Sequence, residues 1–526
     1  MPFASSFQPL RRAPFTATVL AAAATLSLSA CGGGDSGTPA AQIDTVVVIY
    51  AENRSFDNLF GLFPGANGIA NALKDPASYT QLDRDGVTPL ATLPAVWNAP
   101  SANAAAWAFV SSLPNKPFQI NAAQPGGVPG QGVDVTSPDL VHRFYNNQMQ
   151  INGGKNNQYA AWSDAGGLSM GYYDGSSMAM WKIAQQYTLA DNFFQGAFGG
   201  SFLNHFWLVC ACSPAWNNPP SSRISSVDAS GTRLVLSASN PVSALTGAPK
   251  YAGDLNITPQ STDGKYYAVN TTQPPYQPSG TPPASGADAR LADPTGGGSA
   301  GNMPLPPIDS SQTKTVGDTL TSKGINWVWY AGAWKQALAD RTAIYNNGTP
   351  NFQPHHQPFN YFSRFDPTTT TGQTERAAHL KDYTDLLADI DKGALPSVVF
   401  YKPQGNLNQH PGYTDVMSGD AHLAGLIAKL QQSPQWKHMA IVVTYDENGG
   451  FFDHVAPPKA DRFGPGTRIP AIIVSPYAKK GYVDHTSYDT TSIIKFITKR
   501  FGLDPLSGAR ASAGDLMNAF DFSQTP

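Results

Sequence analysis

A chain of 526 residues has room for one large α/β domain with insertions or for about two to three smaller ones, and 41% hydrophobic residues exclude global disorder. Charged residues are only 13%, the formal net charge is −3 and no basic stripe runs through the chain, which excludes nucleic acid as a partner. The 49 glycines and 44 prolines point to long ordered loops rather than a helical bundle.

The first residues read as a processing segment. Arg11 and Arg12 precede an Ala-rich apolar run over 15–28, too short to span a membrane and suited to an export signal. Leu28-Ser29-Ala30-Cys31 follows, and its order resembles the lipobox of bacterial lipoproteins. Residues 1–30 are then the signal, Cys31 carries a lipid that anchors the protein to a membrane, and 31–43 is a flexible tether. Ordinary cleavage near Ala30 is the alternative. Either way the protein is exported, to the periplasm, the outer membrane or the exterior.

Residues 45–50 are β-branched and apolar without alternation, as in a strand covered on both faces of a parallel sheet. "AENRSFD" follows at once, so Glu52 and Asn53 lie at the strand's carboxyl end, where open α/β sheets place their crevices. His142 stands in "DLVHRFYNNQMQ". In "DNFFQGAFGGSFLNHFWLV", Gly199-Gly200 permits a sharp turn, and Leu203, Phe206, Trp207 and Cys210 keep helical spacing. Ser201 thus falls at a helix N-terminus, as a simple cap or as a group facing a phosphate. His205, one turn along, points away from the mouth. Cys210 and Cys212 form a local disulfide or remain buried thiols, in either case structural.

From about 214 to 307 the chain is rich in Pro, Gly, Ser and Thr and reads as a loop-rich insertion at the substrate mouth. Further apolar runs over 325–330, 397–401, 440–445 and 469–475 read as strands. Leu380, Tyr383, Leu387 and Ile390, then Leu423, Leu426, Ile427 and Leu430, predict helices between them. His355 and His356 lie in "QPHHQPFNYF" and His410 in "NQHPGYTDV". The run ending at Tyr445 releases Asp446, Glu447 and Asn448, the same grammar as the first strand. Two such ends side by side would gather carboxylates that repel unless a cation or shared protons intervene, and an oxygen-rich cluster suits a hard divalent ion. One domain over 44–510 with a tail over 511–526 is the simplest division.

"ENRSFDNLFG", "FGGSFLNHFWL", "HHQPFNYF", "NQHPGYTDV" and "YDENGGFFDHV" resemble, in order, the signature blocks of the bacterial acid phosphatase and phospholipase C phosphoesterase family. The resemblance implies an alkaline-phosphatase-like α/β fold: a twisted, mostly parallel central sheet with helices on both faces. It implies one divalent metal ion, of unspecified identity, bound by Glu52, Asn53, Asp446 and Glu447 with the Ser201 hydroxyl. Ser201 would be the nucleophile, and His142, His356 and His410 would contact the phosphoryl group or protonate the leaving oxygen, with His355 interchangeable with His356. Asp453-His454 resembles ligands of a second metal in distant relatives. Serine in the nucleophile block resembles the acid phosphatase branch, whose substrates are small phosphomonoesters. Phospholipase C action on phosphatidylcholine-like head groups is the alternative, and a non-catalytic lipoprotein that binds phosphorylated ligands is the third.

Overall fold

Eight strands build the central sheet of the computed structural model, which describes residues 39–279, 304–340, 343 and 351–526. They are β1 (Thr45–Ala51), β2 (Thr188–Ala190), β3 (Trp327–Ala331), β4 (Leu380–Asp382), β5 (Val398–Lys402), β6 (Met439–Tyr445), β7 (Ala471–Val474) and β8 (Tyr482–Asp484). Their spatial order is β8-β2-β7-β6-β1-β5-β3-β4, and within this sheet β7 alone runs antiparallel to its neighbours. Every residue of β1, β3, β5, β6 and β7 is buried, so these strands are covered on both faces, as their unbroken apolar runs require. This is the expected α/β architecture with a mostly parallel sheet.

The pairing that matters most is β1 with β6. Their parallel register sets Ala51 opposite Tyr445, so the two acidic loops leave the same edge of the sheet side by side. On the other side of β1, Ile49 pairs with Tyr401, which brings the end of β5 to the same edge. The helices used below are α1 (Phe56–Phe60), α2 (Phe144–Ile151), α3 (Ser201–Val209), α4 (Tyr383–Asp391), α5 (Val416–Gln431) and α6 (Thr490–Phe501). None of the helices among the described residues is long and apolar enough to cross a membrane.

Several expectations change. Leu380 is not the start of a helix but lies in the edge strand β4, because Asp382 caps α4 by accepting from the Thr384 N–H and ends the strand there. The short strands β2 and β8, three residues each, had no legible run. The expected tether over 31–43 stops earlier: Pro39–Gln42 forms a 3-10 turn, and Ala40 and Ile43 are buried. The expected tail over 511–526 is packed: Leu516 and Ala519 are buried, and Phe520 stacks on Phe496 of α6 at 5.2 Å. Cys210 and Cys212 are joined by a disulfide. The proposed signal, Cys31 and residues 280–303 of the insertion lie outside the described residues.

Candidate active site

Glu52, Asn53, Asp446 and Glu447 are all fully buried where the β1 and β6 loops meet. Asn53 adopts a left-handed backbone (φ 57°), which asparagine tolerates, and its N–H donates to Asp446 Oδ1 at 3.1 Å. Gly449 is required on the partner loop: at φ 61° a Cβ would lie 2.3 Å from the Asn53 carbonyl oxygen. The two loops are thus joined, with the Arg54 N–H on the Glu447 carbonyl at 2.9 Å, and their buried carboxylates act on one another by charge.

Those carboxylates are under-satisfied. Both oxygens of Glu52, Oδ2 of Asp446 and Oε1 of Glu447 are buried and accept no hydrogen bond of good geometry. Burial and the charge of Glu52 raise the Asp446 carboxyl to about 6, against the opposing pull of Lys402 and the Asn53 N–H. Burial raises Glu447 as well, with Asp446 adding to it and His142 opposing it. Native interiors rarely leave such groups unmatched. A donor set of three carboxylates, an amide oxygen and a hydroxyl fits a hard divalent cation.

Ser201 is the first residue of α3 and is 5% exposed. Its hydroxyl donates to Asn53 Oδ1 at 3.5 Å and stands beside the Asp446 carboxyl. The turn before it is pinned from two sides. Asn204 receives the Ala197 N–H (2.8 Å) and donates to the carbonyls of Ala197, Gly199 and Gly200, while Gln195 donates to those of Ala197 and Gly199 and receives the Asn448 N–H at 2.9 Å. Gly199, at φ 86°, has no room for a Cβ, which would meet the Phe144 nitrogen at 2.5 Å.

A polar cavity of about 260 Å³ opens over Ser201, lined among others by His142, His355, His410, Tyr413 and Asn270. His142 donates from Nδ1 to the Leu140 carbonyl at 2.5 Å, and its Nε2 lies 3.9 Å from Glu447 Oε1. Burial disfavours its charge, but Glu447 and Asp139 outweigh burial and raise it to about 9. Burial lowers His410 to about 4 despite Glu52, and its ring stacks on Tyr413 at 4.3 Å. Of the neighbouring pair, His355 lines the cavity. His356, expected to touch the phosphoryl group, instead lies behind the carboxylates with Nε2 2.9 Å from Glu52 Oε1. The alternation of one buried and one cavity-facing ring follows from their place in a single 3-10 turn, Pro354–His356. His205 is fully buried beneath, stacked on His356 at 5.0 Å, away from the cavity as expected. The insertion contributes Val269, Asn270 and Thr271 to the wall.

Three participants were missed. Lys402 ends β5 in contact with Glu52; its signal was the same as for the acidic pairs, a charge directly after a buried strand. Asp164 accepts the Val141 N–H at 2.8 Å and so fixes the chain entering His142, and no motif marks it. Arg468 fills the place near Asp453-His454: it pairs with Asp453 at 2.8 Å and with Asp57 at 3.3 Å, so that cluster already has its cation and a second metal there is not supported.

A family model described as "Phosphoesterase family" matches residues 43–504. Phospholipase C B of Mycobacterium tuberculosis is 23% identical over 533 aligned residues, covering 94% of this chain and 81% of the relative. The non-hemolytic phospholipase C of Burkholderia pseudomallei is 29% identical over 260 residues, 40% of this chain and 36% of the relative. Among solved structures, a protein in the alkaline phosphatase superfamily from Vibrio parahaemolyticus aligns with 66% of this chain and 65% of its own at 11% identity, TM-score 0.29. The fold description rests on the sheet itself.

Proposed function

The chain belongs to the Phosphoesterase family and is a phosphoric ester hydrolase, and within that class we propose that it cleaves phosphate monoesters through a phosphoserine formed on Ser201. The observation that carries this reading is the position of the Ser201 hydroxyl, on a helix N-terminus, beside Asp446, at the floor of a polar cavity. At about 260 Å³ the cavity is smaller than the roughly 300–1,000 Å³ of sites that enclose drug-sized ligands, and it suits a phosphoryl group with little else.

Glu52, Asn53, Asp446 and Glu447 with Ser201 would hold one divalent ion; when bound, it supplies positive charge that polarises a phosphoryl oxygen and favours the ionised serine. The chain's own groups do the rest. The free N–H groups at the start of α3 face the developing phosphoserine charge. Protonated His142 holds a phosphoryl oxygen and gives the leaving oxygen its proton, then takes a proton back from the water that frees phosphate. His355 and His410, kept neutral by burial, line the cavity as hydrogen-bonding imidazoles.

A second reading is favoured by the relatives, which are named phospholipases C: the same centre would accept a phospholipid head group at the cavity mouth. Release of p-nitrophenol from its phosphate, set against diacylglycerol release from phosphatidylcholine vesicles, decides between them. Faster lipid cleavage would overturn the monoester reading and leave the phosphoserine intact. We further propose that Cys31 is lipidated and tethers the exported protein. Cys31→Ser should move it from membrane to soluble fractions, and an unchanged distribution would refute the anchor.

A further inference from the structure

One cation is built permanently into the acidic cluster. Lys402 is 1% exposed, and its ammonium group contacts Glu52 Oε1, lies 3.8 Å from Asp446 Oδ2 and donates to the Ala51 carbonyl at 3.4 Å. It also sits 5.2 Å from the centre of the Tyr50 ring. It is absent from the cavity wall, so it cannot grip a phosphoryl group there. Its ion-pair partners are Glu52 and Asp446.

Glu447 faces His142, whose Nε2 lies 3.9 Å from its Oε1, whereas Glu52 and Asp446 have Lys402 as their fixed cation. We propose that Lys402 is a positioning residue that acts as a built-in cation, holding the Glu52–Asp446 edge so that a single divalent ion is enough to complete the site. The inference rests on the metal reading given above. Unlike an ion, a lysine cannot dissociate, so the loops of β1 and β6 stay joined when metal is scarce. The cost is weaker metal binding, because a fixed positive charge stands beside the incoming one.

The test compares manganese(II) affinity, by chelator competition, and thermal midpoints with EDTA or manganese, in the wild type, Lys402→Met and Lys402→Arg. Lys402→Met keeps an apolar stem without charge. It should bind manganese at least about tenfold more tightly, and its midpoint should rise more on manganese addition because its metal-free form has lost most. Lys402→Arg should keep wild-type values. Equal affinity and an equal rise in Lys402→Met and wild type would overturn the proposal, since a packing role lowers both midpoints alike. If Lys402→Met does not fold even with manganese, Glu52→Gln/Lys402→Met, which deletes both charges, should fold; failure of the double variant also overturns it. A wild type that binds no divalent ion would remove the metal reading and this inference with it, a result distinct from equal affinities.

Discussion

Two acidic clusters grow from the same pair of loops and end in opposite electrostatic states. Glu52 and Asn53 follow β1, and Asp57 lies a few residues on in α1; Asp446 and Glu447 follow β6, with Asp453 and His454 further along. In the first cluster four carboxylate oxygens are buried without a well-placed donor. In the second, Arg468 donates to Asp453 at 2.8 Å and to the carbonyls of Asn67 and Asp191 at 2.8 and 2.6 Å, and His454 donates to Asp57 at 2.7 Å. Both sets look like ligands in sequence, and Asp57, Asp453 and His454 hold their ligand atoms within 4.8 Å of one another. Counting carboxylates therefore does not identify a metal centre. What separates the clusters is whether a guanidinium has already answered their charge.

The sharpest way to break this comparison is at Ser201, which only the first cluster possesses. Ser201→Ala should lower turnover by more than about 10³-fold. Its thermal midpoint should stay near the wild type's, since the hydroxyl caps nothing: Gly200 occupies the cap position. Acid quenching of the wild type during turnover should trap phosphate on Ser201. A variant that retains turnover would show direct attack by water and would make the first cluster a centre without a nucleophile.

Next in size is a paired substitution across the two clusters. Asp446→Ala should lose bound metal and at least about 10²-fold in turnover. Asp453→Asn should keep the metal and instead lose about 3 kcal/mol of stability, because Arg468 stays buried with its best partner gone. Elemental analysis and denaturant unfolding read both. Metal loss in Asp453→Asn, or metal retention in Asp446→Ala, would erase the distinction drawn here.

The central strands, and with them the strand-end carboxylates, were legible because five buried strands read as apolar runs and the acidic residues after two of them, β1 and β6, are conspicuous. Lys402 carries the same signal but was passed over, since a single lysine after "VVFY" is also how an ordinary strand meets solvent. Depth, not spacing, makes it significant. Arg468 stands ahead of β7, 15 residues from Asp453, and only the fold closes that gap. His355 and His356 could not be told apart because a 3-10 turn has no hydrophobic period to orient its rings. The packed residues 511–526 misled for a related reason: Leu516, Ala519 and Phe520 are too few to show a pattern, though each is buried against the domain.

A third test sharpens the comparison through pH. The Asp446 carboxyl, held up at about 6, has a folded value above the unfolded value of about 4. Stability from such a group is complete below its unfolded value and is lost as pH rises through its folded one. Glu447 shifts in the same direction. A bound divalent ion cancels the repulsion, so the gap in thermal midpoint between metal-loaded and EDTA-treated protein should widen by several degrees from about pH 4 to about pH 7. A gap that ignores pH would mean that the first cluster is as well compensated as the second.

The smallest effect should come from Asp164, which belongs to neither cluster. Its carboxyl is half-buried, and it accepts the Val141 N–H at 2.8 Å immediately before His142. The His142 ring is held independently by the Leu140 carbonyl at 2.5 Å and by Asp139 at 3.6 Å, so losing Asp164 should loosen the approach of the chain without releasing the imidazole. Asp164→Ala should therefore lower turnover by only about threefold to tenfold, with metal content unchanged. The alkaline limb of its pH profile should shift more than its KM, because His142 owes its raised value to a fixed distance from Glu447 and Asp139. Wild-type turnover with a wild-type profile would show that the loop is set by its other contacts alone. Loss of metal would show that the His142 loop and the carboxylate loops fold as one unit, and the boundary drawn around the first cluster would have to move outward.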